Sequence, residues 1–326
     1  MTVLTEIVKI YKLNDTQGKE LTERTDHCVA TVGLAVVDHV YQLDILPSKA
    51  EKYFASAQQE IVGGIAANAA LAIVALGGRS KLMTRVGDDC TGNFVIKDLQ
   101  RSGVEVDCLE TVSGQNTASS AVMLDSCGER MIVNYKPTEL FASPPHFPDL
   151  GLKKIGAVLA DLRWIAGTEA IFASASQLNI PTILDFDLAP DDASKSILDN
   201  TSHIIFAESA LKKYTRQIDL SAALRAVHLQ HPSIYLAVTA GADGVYHMNE
   251  DGYVRHIKSR SVSVISTLGA GDIFHGATAL ALMEGASFEG ALRFANDVAA
   301  VKISKPTNET NLPTRSEVEE LQRNFK

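Results

Sequence analysis

Cysteine is scarce in this chain, and its placement excludes two classes of protein. Cys28, Cys90, Cys108 and Cys127 form no C-x-x-C pair and stand in no cluster with histidine. A structural zinc site is therefore not expected, and neither is a disulfide framework; reduced thiols in the cytosol are. Excess positive charge is missing too. The formal net charge is −9 and the sequence pI about 5.5, which argues against nucleic acid or an anionic membrane as a partner. No stretch reaches the roughly 18 consecutive apolar residues of a membrane span. The first 26 residues mix charges throughout and lack the apolar centre of a signal peptide. A cytoplasmic location follows as the expectation. There is also no linker rich in Pro, Gly or Ser, and no internal repeat.

What is present is material for a large core. Of the 326 residues, 46% are apolar and 21% charged, as in a soluble globular protein. From Cys28 onward, apolar runs alternate with longer helical stretches. "CVATVGLAVVDHVYQL" reads as a strand, a turn at Gly33 and more extended chain. "GGIAANAALAIVALGG" reads as a small-residue helix, apolar on nearly every side and therefore buried. "SKLMTRVG" reads as a strand, and "TGNFVIKDLQRSG" as a helix with Thr91 as its cap. The alternation resumes through "IGAVLADLRW", "PTILDFD", "SHIIFAE" and "SIYLAVTAGADG", each with helical pattern between them. Such alternation predicts βαβ units around a mostly parallel, doubly wound sheet with helices on both faces.

One interval breaks the pattern. "QNTASSAVMLDSCGERMIVNYKP" reads as two strands joined by a turn near Ser126 to Gly128. With the extended chain before residue 57 it predicts a small separate β sheet. The expected organisation is one domain over residues 27–326, with a β lid contributed by about 36–57 and 115–137. Residues 1–26 form an extension of unknown role, either a short amphipathic segment or a tail.

The chemistry is concentrated in "SVSVISTLGAGDIFHGA". A β-like alternation there runs into Gly269-Ala270-Gly271-Asp272 at the mouth of an apolar helix. Backbone N–H groups of such a turn point together at the positive end of the helix dipole, and glycine lets an anion approach them closely. Asp272 beside that anion can accept a proton from a hydroxyl attacking it, which is what phosphoryl transfer requires. The plainer alternative is an aspartate that only caps a tight βα turn. No Lys-Ser/Thr follows the glycines, so this is not a P-loop, and it is not a G-x-G-x-x-G turn. Far upstream, Asp38, Gly63, Gly64 and Asn68 fall near carboxyl ends of strands, where open α/β sheets bind ligands. Asp38 and Asn68 are suited to sugar hydroxyls, with Asp38 as an ordinary loop carboxylate the plainer reading.

Three further residues bear on an anionic group. Lys52 and Asn134 fall in predicted lid strands, and Arg163 at the end of a core strand over the same cleft. Arg offers a planar fork, Lys a point charge and Asn an added donor. The alternative is that Lys52 and Arg163 are solvated or salt-bridged side chains. His275 reads as a packed helix residue and Trp164 as packed on the lid or a partner. Arg85 and Arg130 read as either structural or part of the cationic field. Asp185 and Asp187 end a strand near the nucleotide side.

"GGIAANAALAIVALGG", "TRVGDDCTGNFVIKDL", "VTAGADGVY" and "GAGDIFHGA" resemble, in that order, the hallmarks of the ribokinase-like (PfkB) carbohydrate kinases, a resemblance covering roughly residues 26–321. It implies an ATP-dependent sugar kinase with a β lid that often serves as a dimer clasp. It makes Asp272 the base and Gly269, Ala270 and Gly271 the anion hole. Thr239, Gly241 and Gly244 then fall in the nucleotide region and Asn296 near the adenine. Mg2+ is implied on the phosphates and through water, with no direct protein ligand. Two departures stand out. The lead-in Ser266-Thr267-Leu268 lacks the usual acid, which puts a monovalent-cation requirement in doubt. The Asn-x-x-Glu motif is degraded, leaving Glu208 for the Mg2+ network. The resemblance is nearest to the branch acting on a C6-sulfonated ketohexose. It implies that Lys52, Asn134 and Arg163 hold the sulfonate of 6-deoxy-6-sulfofructose while its C1 hydroxyl is phosphorylated. A neutral ketohexose, a ribose-type sugar or a sugar phosphate is the alternative substrate. A binding protein without turnover is the alternative class. Asn68 favours sugar binding without favouring a sulfosugar.

Overall fold

A computed structural model describes residues 27–127, 129–146, 152–187, 195–249, 251–305 and 311–324. The expected extension over residues 1–26 and Gly128 at the lid turn lie outside the described residues.

The chain opens with β1 (Cys28–Val32), whose residues are all buried, and turns at Gly33 into β2 (Val36–Gln42). β3 (Ala57–Gly63) leads directly into α1 (Ile65–Ala75), then β4 (Ser80–Gly87) and α2 (Cys90–Arg101). Next come β5 (Leu109–Val112), β6 (Ser119–Leu124), β7 (Arg130–Tyr135) and β8 (Ile155–Ala160). Helices and strands then alternate: α3 (Ile165–Gln177), β9 (Thr182–Phe186), α4 (Lys195–Asp199), β10 (His203–Ala207), α5 (Glu208–Thr215), α6 (Leu220–Gln230) and β11 (Tyr235–Thr239). A hairpin of β12 (Val245–Met248) and β13 (Val254–Ile257) precedes α7 (Ala270–Met283), α8 (Phe288–Ile303) and α9 (Arg315–Asn324).

Nine strands form the main sheet in the order β13-β12-β11-β10-β9-β8-β1-β4-β5. All pairings from β11 to β5 are parallel, and β12 and β13 add an antiparallel edge. Core strands such as "CVATV" and "TILDF" are buried along their whole length because helices cover both faces. One apolar cluster packs α3 to α6 on one face, and another packs α1, α7 and α8 on the opposite face. The expected ribokinase-like, doubly wound architecture is the observed one. β2, β3, β6 and β7 form the separate small sheet, in the order β3-β2-β6-β7. Among the described residues no helix is long and apolar enough to cross a membrane.

Three local expectations are corrected. The lid strand β3 begins where the expected segment ended, so residues 43–56, Lys52 among them, form a loop rather than a strand. Asp89, not Thr91, caps α2: its Oδ1 accepts the Gly92 N–H at 2.7 Å, and a carboxylate is the better acceptor at a helix N-terminus. The "SVSVIS" segment before α7 is not a strand. The N–H groups of Ile265 and Ser266 both go to the Ile303 carbonyl at the end of α8, at 2.7 and 3.2 Å, so no ladder forms there.

Candidate active site

Strand order locates the cleft. From β1 the chain winds outward to β4 and β5 on one side, and from β8 to β9, β10 and β11 on the other. The reversal falls between β1 and β8, and open α/β sheets bind their ligands at such a point, beyond the carboxyl ends of the strands. Gly33 follows β1 with φ +143°, and a side chain there would collide with the Asp161 carboxylate. Asp161 accepts the Leu34 N–H at 3.0 Å and the Arg163 N–H at 2.6 Å, tying the ends of β1 and β8 together. Burial pushes its carboxyl up to about 6.

Helix packing builds the rest. Gly276 of α7 lies so close to α1 that an added methyl carbon would sit 2.7 Å from the Ala69 carbonyl oxygen. One residue before Ala69 and one turn before Gly276, that approach brings Asn68 beside Asp272. Asn68 Nδ2 donates to Asp272 Oδ2 at 2.7 Å. Gly269, the residue before α7, is left-handed at φ +72°, and a side-chain carbon there would lie 3.7 Å from Asn68 Nδ2; Gly271 has nothing within 4 Å of where a side chain would begin. The expected anion hole is thus uncrowded on its side-chain side beside the Asp272 carboxyl, while the Ala270 N–H is engaged by the Thr267 carbonyl at 3.3 Å. Burial pushes that carboxyl up to about 7; the Asn68 bond opposes the rise and Asp185 adds to it. A carboxyl poised there ionises at neutral pH and is basic enough to take a hydroxyl proton.

The other sugar-side candidates gather above. A side chain at Gly63 would collide with the Asp38 carboxylate, and one at Gly64, with φ +96°, would lie 2.5 Å from the Leu34 carbonyl oxygen. Asp38 pairs in register with Ser120, and Ser120 with Asn134, so the three share the lid face over Gly63. Burial raises the Asp38 carboxyl, and the Ser120 hydroxyl opposes the rise.

The three residues expected to meet an anionic group are only partly brought together. Arg163 Nη2 donates to Asp187 Oδ2 at 2.5 Å. Lys136, two residues past Asn134, donates to the Arg163 carbonyl at 2.9 Å, and burial together with Arg163 lowers its affinity for a proton. Lys52 stands exposed on the loop before β3.

Of the nucleotide-side candidates, Asn296 lines a cavity of about 250 Å³ together with Ile257, Lys258, Arg260, Arg293 and Asp297, whereas Thr239, Gly241, Gly244 and Glu208 do not line it. Asn296 Nδ2 donates to the Lys258 carbonyl at 2.8 Å, and the Ser259 hydroxyl donates to the Gly241 carbonyl at 3.2 Å. Gly241 (φ +53°) has open space around it, whereas a side chain at Gly244 would collide with the Ile257 carbonyl. Thr239 ends β11 beside this turn, its hydroxyl 3.4 Å from the Phe206 carbonyl. Glu208 is engaged by Lys212 at 2.5 Å.

His275 is a packed helix residue whose Nδ1 lies 2.8 Å from the Gly271 carbonyl and 3.1 Å from Asp185 Oδ2. Trp164 is fully buried, edge-on to Phe141 and beneath the Arg85 guanidinium. Arg85 is structural: it is buried, bonded to Glu110 at 2.6 Å, and clasps Ser143 and Pro144. The residues sequence reading missed are Asp161 and Lys136. Asp161 carried a usable signal, since "VLAD", like "TILD", places an acid at the carboxyl end of an apolar strand.

The sequence profile described as pfkB family carbohydrate kinase matches residues 26–315. Ribokinase from Bacillus subtilis is 29% identical over 297 residues, covering 90% of this chain and 98% of its own. A crystal structure of a ribokinase-type protein from Agrobacterium tumefaciens superposes with a TM-score of 0.87 at 32% identity, covering 92% of this chain and 98% of that one. Arabidopsis thaliana ribokinase, solved with ribose and ATP, gives a TM-score of 0.79 at 25% identity over 90% of this chain and 98% of that one. The chain belongs to the pfkB family of carbohydrate kinases, ATP-dependent phosphotransferases with the ribokinase-like fold.

Proposed function

We propose that this kinase phosphorylates the C1 hydroxyl of 6-deoxy-6-sulfofructose, giving the 1-phosphate, and so acts as a sulfofructose kinase of sulfoglycolysis. The observation that carries this reading is the cationic end of the cleft. Lys136, just past β7 and two residues from Asn134, donates to the backbone carbonyl of Arg163, just past β8, which brings two cationic residues to one end of the cleft while the Arg163 guanidinium pairs with Asp187. In a protein of net charge −9, two cations so placed suit an anionic substituent, and Lys52 is proposed as a third contact. Asp38, Gly63, Gly64 and Asn68 hold the sugar, and Asp272 takes the C1 hydroxyl proton. The Gly269, Ala270 and Gly271 amides receive the charge that develops on the transferring phosphoryl group. Thr239, Gly241, Gly244 and Asn296 hold the nucleotide, and Glu208 borders it.

Among the described residues no group of three or more His, Cys, Asp or Glu is placed to hold a metal directly. Asp185 Oδ1 is a buried oxygen without a partner in the structure, and it fits a water bound to Mg2+. When bound on ATP, Mg2+ neutralises phosphate charge. Ser266 in place of an acid argues against a monovalent-cation requirement. Tyr41, Met131, Val133 and Tyr135 are exposed on the lid face opposite Asp38, and they suit a homodimer contact. Free cysteines and ATP use fit the cytoplasm.

A second reading has its own support. Arg163 already bonds Asp187, so a neutral ketohexose or a ribose-type sugar needs no further charge from it; a sugar phosphate is the other anionic candidate. The test is ADP release with sulfofructose, fructose, fructose 6-phosphate and ribose. Sulfofructose is expected to give the highest kcat/KM; no preference over fructose would sink the sulfonate assignment.

A further inference from the structure

One contact spans the cleft at the place where phosphoryl transfer is assigned. Arg130 Nη1 donates to the Thr267 hydroxyl at 2.9 Å, joining positions 137 residues apart. Arg130 begins β7, the edge strand of the lid. It shares a face with Asn134 four residues on, and hence with Ser120 and Asp38. Thr267 lies in the turn before α7, where its carbonyl accepts the Ala270 N–H at 3.3 Å. That turn is fixed at its base by the Ile303 carbonyl, which receives the Ile265 and Ser266 amides. Its outer side is met by Arg130. The other end of β7 is pinned as well, through Lys136 on the Arg163 carbonyl at 2.9 Å.

We propose that Arg130 is a positioning residue that couples the seating of the lid to the shape of the anion-binding turn. The inference rests on the assignment of Gly269 to Asp272 as the site of phosphoryl transfer. Two points fix the line of β7 across the cleft, one at each end of the sugar-facing row. With the lid seated, the Thr267 hydroxyl is held and the turn carrying Gly269 keeps the left-handed geometry that aims its amides. Among the described residues no carboxylate pairs with the Arg130 guanidinium, so its charge stays directed at the mouth of the anion-binding turn. Guanidinium is suited to this because one nitrogen can hold the latch while four N–H donors remain. Loss of the latch loosens the lid and the turn together; ATP, held around Asn296 and Gly241, is not affected.

The test is a double-mutant cycle of Arg130→Ala and Thr267→Val, with Arg130→Lys and Thr267→Ser as conservative variants. It is run on whichever sugar is turned over. Each truncation is expected to lower kcat about tenfold with KM for ATP within about twofold, the size of one charge-assisted hydrogen bond. The double variant is expected to match the single ones, because both remove the same interaction. Thr267→Ser, which keeps the hydroxyl, is expected to keep most of the rate, and Arg130→Lys to fall between. A second readout needs no sugar or nucleotide. Amide exchange in β7 is expected to speed up alike in Arg130→Ala and Thr267→Val. Effects on kcat that multiply, or β7 exchange unchanged in both variants, would overturn the coupling. Because exchange is read without substrate, a failed sulfosugar assignment leaves this test intact.

Discussion

Asp272→Asn removes the carboxyl beside the proposed anion-binding turn while keeping its shape and an oxygen for Asn68 to donate to. An ordinary aspartate titrates near 3.8, and burial in this site moves Asp272 up to about 7. The difference is roughly 3 pH units, which at about 1.36 kcal/mol per unit is about 4 kcal/mol of disfavoured ionisation. Asp272 opens partly to the cleft, and solvent screens that cost, so about 1–2 kcal/mol is expected to reach the unfolding free energy. The folded-state value is the higher one, so the stability is fully present below about 4, where both states hold the proton, and is lost as pH rises through about 7. Asp272→Asn should therefore raise Tm by about 1.5–3 °C at pH 8 and by less at pH 5. Its kcat should fall by about 10²- to 10⁴-fold, the usual contribution of a general base. In the parent, kcat/KM should rise with unit slope up to about pH 7 and then level. Thermal scans at the two pH values and an ADP-release assay read both effects. ADP release by Asp272→Asn at the parental rate would refute the base assignment. A Tm difference that does not change with pH would refute the buried-carboxyl account.

Arg163→Ala is expected to lower the kcat/KM ratio of sulfofructose over fructose by about 10- to 100-fold. Taking the ratio cancels whatever freeing Asp187 does to both substrates, and an unchanged ratio would count against Arg163 as the sulfonate contact. Gly33→Ala forces a side chain at φ +143° into the Asp161 carboxylate. It should cost about 3 kcal/mol or more, read as a lower Tm, and a parental Tm would mean that β1 and β8 are not locked there. Val133→Glu places a charge on the outer lid face and should give a monomer by sedimentation; an unchanged species would move the dimer contact elsewhere.

Much of the fold was legible in the chain. "SKLMTRVG" is β4 residue for residue, and the strand–helix alternation predicted the parallel sheet because apolar periodicity is a local property. Local signals failed where two donors or acceptors competed. Thr91 looked like the cap of α2, yet the Asp89 carboxylate took the Gly92 amide. The β-like alternation before Gly269 has no neighbour to pair with, because Ile303 takes its amides. Lys52 was expected on a strand, but the lid turns in a long loop before β3.

The sequence by itself determined the chemistry on offer: glycines at a helix mouth, an aspartate beside them, and an amide on a small-residue helix far upstream. Only the tertiary structure decided which of these groups meet. Asn68 reaches Asp272 across 204 positions and Arg130 reaches Thr267 across 137. Arg163 settles on Asp187, its neighbour one strand over. The physical reason is that these meetings depend on the close approach of α1 and α7 at Gly276 and on the order of strands about β1 and β8. Both are long-range packing outcomes that no local pattern of residues encodes.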